Sequence, residues 1–96
     1  MNEIRELKSI DFGRALRRSQ RARLAAGKVE SGADVTALRR FVGLDRADFA
    51  RAIGVSARTV QGWESGRTRP VGAELALVRI AARHPRAVRD NVASAA

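Results

Sequence analysis

The chain has no cysteine and one histidine among its 96 residues. A disulfide framework and a Cys-based zinc site are therefore excluded. The lone His84 cannot supply His-based metal chemistry. No apolar run approaches the ~20 residues that a membrane span needs. The start, MNEIRELKS, lacks the apolar core of a signal peptide, so a cytoplasmic protein with no membrane partner is expected. Acids are scarce as well: 10 Asp and Glu stand against 19 Lys and Arg, for a net charge of +9 and a pI near 11.7. No carboxylate pair falls at a convincing spacing for acid–base work, and no Gly-rich loop could cradle a phosphate. The groups an enzyme needs are missing, so no catalytic residue, metal or cofactor is expected. The charge suits a polyanion. It would also suit an anionic membrane or an acidic protein, so the pattern of residues must decide.

The deciding stretch is Phe49 to Pro70, FARAIGVSARTVQGWESGRTRP. Phe49, Ala50 and Ile53 recur at helical spacing, which gives the first of two short helices an apolar face. Gly54 stops that helix by taking the left-handed conformation of a C-terminal cap. Val55 returns to the core. Ser56 is placed to cap the next helix with its hydroxyl. Val60 and Trp63 share the buried face of that second helix, Trp63 as core rather than as a base-stacking residue, and Gly66 ends it. Helix, Gly-containing turn, helix is the helix-turn-helix arrangement. The outer face then carries Ala57, Arg58, Gln61 and Gly62. Small residues let a helix approach base edges, Arg pairs with guanine and Gln with adenine. Arg67, Thr68 and Arg69 form a loop suited to phosphates. A plain helical hairpin with a solvated face would explain any one of these residues, but not all of them together.

The run from Leu44 to Pro70 resembles the Xre/Cro-type helix-turn-helix family. The likeness lies in Ile53-Gly54-Val55-Ser56, Thr59-Val60, Trp63-Glu64-Ser65-Gly66 and Arg67-Thr68-Arg69-Pro70. The continuation from Gly72 to Arg79, ending in Ala82-Arg83-His84-Pro85, is similar to the HigA-type antitoxins of toxin–antitoxin operons. The resemblance implies an all-α fold: a five-helix Xre/Cro-like domain with an N-terminal basic helix. It also implies phosphate contacts at Arg46, Ser56, Thr59, Arg67, Thr68 and Arg69, and base contacts at Ala57, Arg58, Gln61 and Gly62. Arg46 replaces a common Gln and Gly62 replaces an amide residue. The Gly removes a side-chain contact and allows close approach to the groove.

The remaining chain frames this unit. Roughly Asp11 to Ala26 reads as a helix with a thin stripe of Phe12, Ala15, Leu16, Ser19, Ala22 and Ala26. Its other faces carry Arg14, Arg17, Arg18, Arg21 and Arg23 without an acid among them, so it would gain from an anionic partner. Residues 27–32 read as a linker. The expected division is a basic helix and linker over 1–33 and a helix-turn-helix domain with C-terminal dimerisation helices over 34–96. Asp34 is expected to cap a helix to Val42 that buries Val35, Leu38, Phe41 and Val42. Asp45 is expected to cap a helix to Ile53 that also buries Ala47. Glu64 is expected to pair with Arg67 or Arg51. A helix from near Gly72 is apolar on two faces, through Leu75, Ala76, Leu77, Val78, Ile80 and Ala81. Pro85 suits the first turn of a last short helix.

Three function classes can be weighed. An enzyme fails on residues. A module that binds only protein would bind DNA weakly and without sequence preference. The reading favoured is a sequence-specific repressor that binds double-stranded DNA as a homodimer on a palindromic operator. Leu77, Val88 and Val92 are expected at its two-fold interface. The HigA resemblance implies an antitoxin that binds a RelE-like RNA-cleaving toxin and represses its own operon. The alternative is a stand-alone phage-type regulator.

Overall fold

Short polar caps and turn glycines cut the chain into helices. The computed structural model describes residues 16–95. Among these residues there are six α-helices and no strand: α1 Arg18–Ala25, α2 Gly32–Val42, α3 Arg46–Ile53, α4 Ala57–Glu64, α5 Ala73–Arg83 and α6 Pro85–Ala95. The caps flanking the central hairpin are those expected from sequence. The Asp45 carboxylate accepts from the Asp48 N–H at 2.8 Å, and Ser56 Oγ accepts from the Thr59 N–H at 3.0 Å. Gly54 turns the chain between α3 and α4 at φ +82°, a region that side chains with a Cβ rarely occupy.

The core is built from one face of each helix. Leu24, Val35, Leu38, Val42, Phe49, Val60 and Val78 are fully buried, and Trp63 is 2% exposed. Truncating a buried Phe or Trp to Ala typically costs about 3–5 kcal/mol, so Phe49 and Trp63 account for much of the margin of a domain this small. No helix of the described residues is long and apolar enough to cross a membrane.

Several sequence expectations need correction. The start of the first helix, with Asp11, Phe12, Arg14 and Ala15, lies outside the described residues. Within them, the expected Ser19, Ala22 and Ala26 stripe is exposed, and Leu24 with Leu16 faces the core instead. Small side chains phase a helix poorly; the one leucine inside α1 sets its orientation.

Two arginines of α1, Arg21 and Arg23, find partners on the protein itself. Arg21 Nε donates to the Ala82 carbonyl at 2.7 Å and its Nη2 to the Arg83 carbonyl at 3.4 Å. A cation here satisfies the carbonyls that end α5 and faces the negative pole of its dipole. The Arg21 guanidinium also lies 5.0 Å from the centre of the Phe41 ring. At the other end of α1, Arg79 Nε donates to the Ala25 carbonyl at 3.4 Å, so α1 and α5 run antiparallel.

Asp34 is not the cap of α2. The helix begins two residues earlier, after Ser31, and Asp34 lies inside its first turn at 4% exposure. Its carboxylate accepts from Gln20 Nε2 at 2.8 Å, from Arg23 Nη1 and Nη2 at 2.7 and 2.9 Å, and from the Glu30 N–H at 2.8 Å. Hydrogen bonding to Arg23, helped by Gln20 and the Glu30 amide, outweighs burial and holds this carboxyl well below the usual carboxylate range. Gly32 opens α2 at a position with no room for a side chain, since a Cβ there would fall on the Glu64 carbonyl.

On α3, Ala47 is exposed and Ala52 is buried in its place. The reason is α6, which lies along α3 and sends Asn91 Nδ2 to the Ala52 carbonyl at 2.7 Å. On α5 the buried residues are Val78, Ala81 and Ala82; Ala76 is exposed and Ile80 is 47% exposed. Val88, expected at a two-fold interface, also packs within the single chain. At 6% exposure it closes the chain's own core, while Leu77 and Val92 are half-buried against that core.

Candidate nucleic-acid interface

The turn between α3 and α4 aims the outer face of α4 away from the core. Val60 and Trp63 anchor the helix from beneath. Ala57, Arg58 and Gln61 consequently stand exposed on the opposite side. Arg58 and Gln61 offer the two donor groups suited to bidentate readout of guanine and adenine, and Ala57 leaves room beside them.

Gly62 does not share that face. It is buried, and a Cβ there would come within 2.8 Å of Thr68 Oγ1. Its carbonyl accepts from the Arg67 N–H at 2.9 Å, the Thr68 N–H at 3.2 Å and Ser65 Oγ at 3.1 Å. The missing side chain makes space for the loop to fold back on α4, rather than for a groove to approach. The helical repeat places residue 62 between the buried Val60/Trp63 face and the exposed Arg58/Gln61 face, and the returning loop tips it inward.

The residues expected at phosphates fall into three groups. Arg67, Thr68 and Arg69 are exposed on the loop after α4. Arg69 also reaches back to the linker, donating to the Val29 and Glu30 carbonyls at 3.3 and 3.4 Å. Ser56 and Thr59 share a hydrogen bond between their hydroxyls at 2.9 Å. That bond uses one of their two O–H groups and leaves the other for an outside acceptor. Arg58, Arg67 and Arg69 line one recess of about 340 Å³ with Thr59, Thr68 and Glu74.

Arg46 stands at the start of α3 with its side chain 45% exposed. Its partner is Glu64, which pairs neither with Arg67 nor with Arg51. Glu64 Oε2 accepts from Arg39 Nε at 2.8 Å, and Oε1 lies 3.3 Å from Arg46 Nη2. Arg51 instead lies 3.9 Å from Asp48 on its own helix. Burial pushes the Glu64 carboxyl up. Hydrogen bonding and charge from Arg39, with Thr36 and Arg46, outweigh burial and hold it below its ordinary value. One ionised carboxylate thus fixes the end of α4 to α2 and holds Arg46 beside it. With two cations on one anion, a positive charge is left over at the surface.

Sequence reasoning missed Arg39 and Glu74, and it did not bring Arg23 and Asp34 together as a pair. Arg39 falls four residues before Gly43, and nothing in that spacing marks it as the partner of Glu64. Nothing in spacing marks Glu74, because it joins the recess from a different helix.

Known proteins carry the same pattern. Residues 37–77 match the helix-turn-helix family. The chain is similar to an uncharacterized HTH-type transcriptional regulator, YiaG, of Escherichia coli strain K12: 41% identity over 58 residues, which is 60% of each chain. It is also similar to Antitoxin HigA-2 of Vibrio cholerae, with 35% identity over 52 residues, 54% of this chain and 50% of that one. The chain thus spans about half to three fifths of the length of the curated relatives it matches. No solved structure matches it. An exposed Arg58/Gln61 face on a capped helix, a basic loop beside it and these likenesses lead to one conclusion: residues 37–77 match the helix-turn-helix family, and the chain is similar there to an HTH-type transcriptional regulator and to a HigA antitoxin.

Proposed function

We propose that this chain is a sequence-specific DNA-binding repressor whose α4 enters the major groove. The observation that carries the reading is the arginine-lined recess beside the exposed Arg58/Gln61 face. Arg58 and Gln61 read base edges, with Ala57 allowing close approach. Arg46, Arg67 and Arg69 hold phosphates, aided by the Ser56–Thr59 hydroxyl pair and Thr68. Binding occurs as a homodimer on a palindromic operator, since one recognition helix covers only a few base pairs. A groove of about 420 Å³ between α3, α5 and α6, with Leu77 and the exposed Ile80 in its wall, gives a second copy a surface to use. Val92 is half-buried on the neighbouring α6.

The likeness to HigA-2 supports a narrower role: an antitoxin that neutralises a RelE-like RNase toxin, acts in the cytoplasm and represses its own operon. The likeness to YiaG favours the second reading, a transcription regulator without a toxin partner. Co-purification with the product of an adjacent gene, and rescue of growth from that product, separates the two.

Arg67→Ala/Arg69→Ala is expected to weaken binding to operator and random DNA alike. The slope of log affinity against log salt should flatten by roughly two units, about one for each phosphate no longer neutralised. A gel-shift titration at several salt concentrations checks this. An unchanged slope would remove the loop from the interface.

A further inference from the structure

We propose that Glu74 is a specificity-determining residue of the DNA interface, accepting a hydrogen bond from the amino group of a cytosine beside the base that Arg58 reads. The inference rests on the DNA-binding reading above and extends it to a residue on a different helix. The starting observation is an anomaly of charge. Glu74 lies in the first turn of α5, half-buried, in the recess that Arg58, Arg67 and Arg69 line. Among the described residues it makes no salt bridge, although three guanidinium groups share the recess with it.

A carboxylate on a face that meets phosphates weakens binding to every DNA sequence. It can be tolerated in a tight specific complex only where the duplex offers it a donor. Phosphates offer none. In the major groove the donors are the amino groups of cytosine and adenine, and a carboxylate suits cytosine N4. Arg58 belongs both to the exposed face of α4 and to the lining of this recess. Glu74 and Arg58 therefore meet the same stretch of duplex, one as acceptor and one as donor. Guanine O6 and N7 for Arg58 and cytosine N4 for Glu74 are the complementary partners. Random sequence leaves the carboxylate facing phosphates or acceptor edges and is rejected.

The test selects preferred duplexes from a random pool with the unmodified protein, Glu74→Ala and Glu74→Gln, each shown to be folded by circular dichroism. Glu74→Ala is expected to bind random DNA several-fold more tightly and to lose about tenfold discrimination at one C·G position. Glu74→Gln is expected to shift the preference at that position from cytosine to adenine, because an amide pairs with adenine N6 and N7. If both variants keep the original base preferences, with operator and random DNA strengthened equally or unchanged, Glu74 is only an electrostatic weight and the proposal fails. If the unmodified protein selects no sequence at all, the DNA-binding reading itself falls.

Discussion

Glu64→Ala is expected to destabilise the fold by about 3 kcal/mol, lowering Tm by roughly 12–24 °C for a domain of this size. The carboxylate side chain is 6% exposed and Arg39 is 14% exposed. Removing the acid leaves the Arg39 guanidinium with the Leu44 carbonyl at 3.2 Å as its remaining acceptor. An unpaired charge in that position costs more than the pair contributes. The lower end of the usual range applies because Arg46 is half exposed and can turn to water. Replacing both charges with apolar groups, Arg39→Met/Glu64→Leu, should recover most of the loss. Thermal unfolding of Arg39→Met, Glu64→Leu and the double variant supplies the coupling energy. A Glu64→Ala loss below about 1 kcal/mol would show that the network is decoration. DNA binding should suffer as well, since Glu64 holds Arg46 at the surface.

Asp34→Asn carries the second large effect, about 1.5–3 kcal/mol, because the charge opposite Arg23 is lost and an NH2 donor replaces one of two oxygens that accept only from donors. The same carboxylate sets a pH dependence. Its folded pKa is depressed, chiefly by hydrogen bonding to Arg23, and that of Glu64 is depressed too. At a pH near their ordinary values the unfolded chain binds protons that the folded chain does not, so stability rises with pH through that window. The contribution is fully present above about pH 5 and is lost progressively as pH falls below about 4. Chemical denaturation between pH 7 and pH 2.5 should show stability falling at the acid end, with a shallower fall for Asp34→Asn. Equal slopes for the two proteins would mean that the carboxylate is not held as described. Because α1 and the linker attach through Asp34, protease sensitivity around Lys28 should rise in the variant.

The central hairpin was legible in the sequence because its signals are local. Gly54, Ser56 and the Val60/Trp63 spacing each act within one turn of helix, and the structure places them as read. What failed depended on contacts between distant segments. Ala47 and Ala52 are chemically identical, and only the position of α6 decides which one is buried. Asp34 has the composition of a cap, but its partners Gln20 and Arg23 lie on another helix and draw it into the core. Arg21 and Arg23 read as a surplus of charge because their acceptors are the carbonyl end of α5 and a carboxylate on α2. Val88 read as surplus apolar surface because the packing of α6 against α3, which draws Val88 into the core, cannot be seen in a linear pattern. For the candidate site, the exposure of Arg58 and Gln61 followed from helical phase, and that of Arg67 and Arg69 from the Gly66 stop that puts them on a loop. The inward turn of Gly62 and the arrival of Glu74 required the loop and α5 to be in place.

The central claim is that α4 reads sequence, and comparing Arg58→Ala with the unmodified protein tests it most directly. Affinities for a selected operator and for random DNA are measured at two salt concentrations. Arg58 should contribute about 1–3 kcal/mol on the operator and little beyond one phosphate-like charge on random DNA, with preference relaxed at a single base position. Equal losses on operator and random DNA, with base preferences unchanged, would contradict the account.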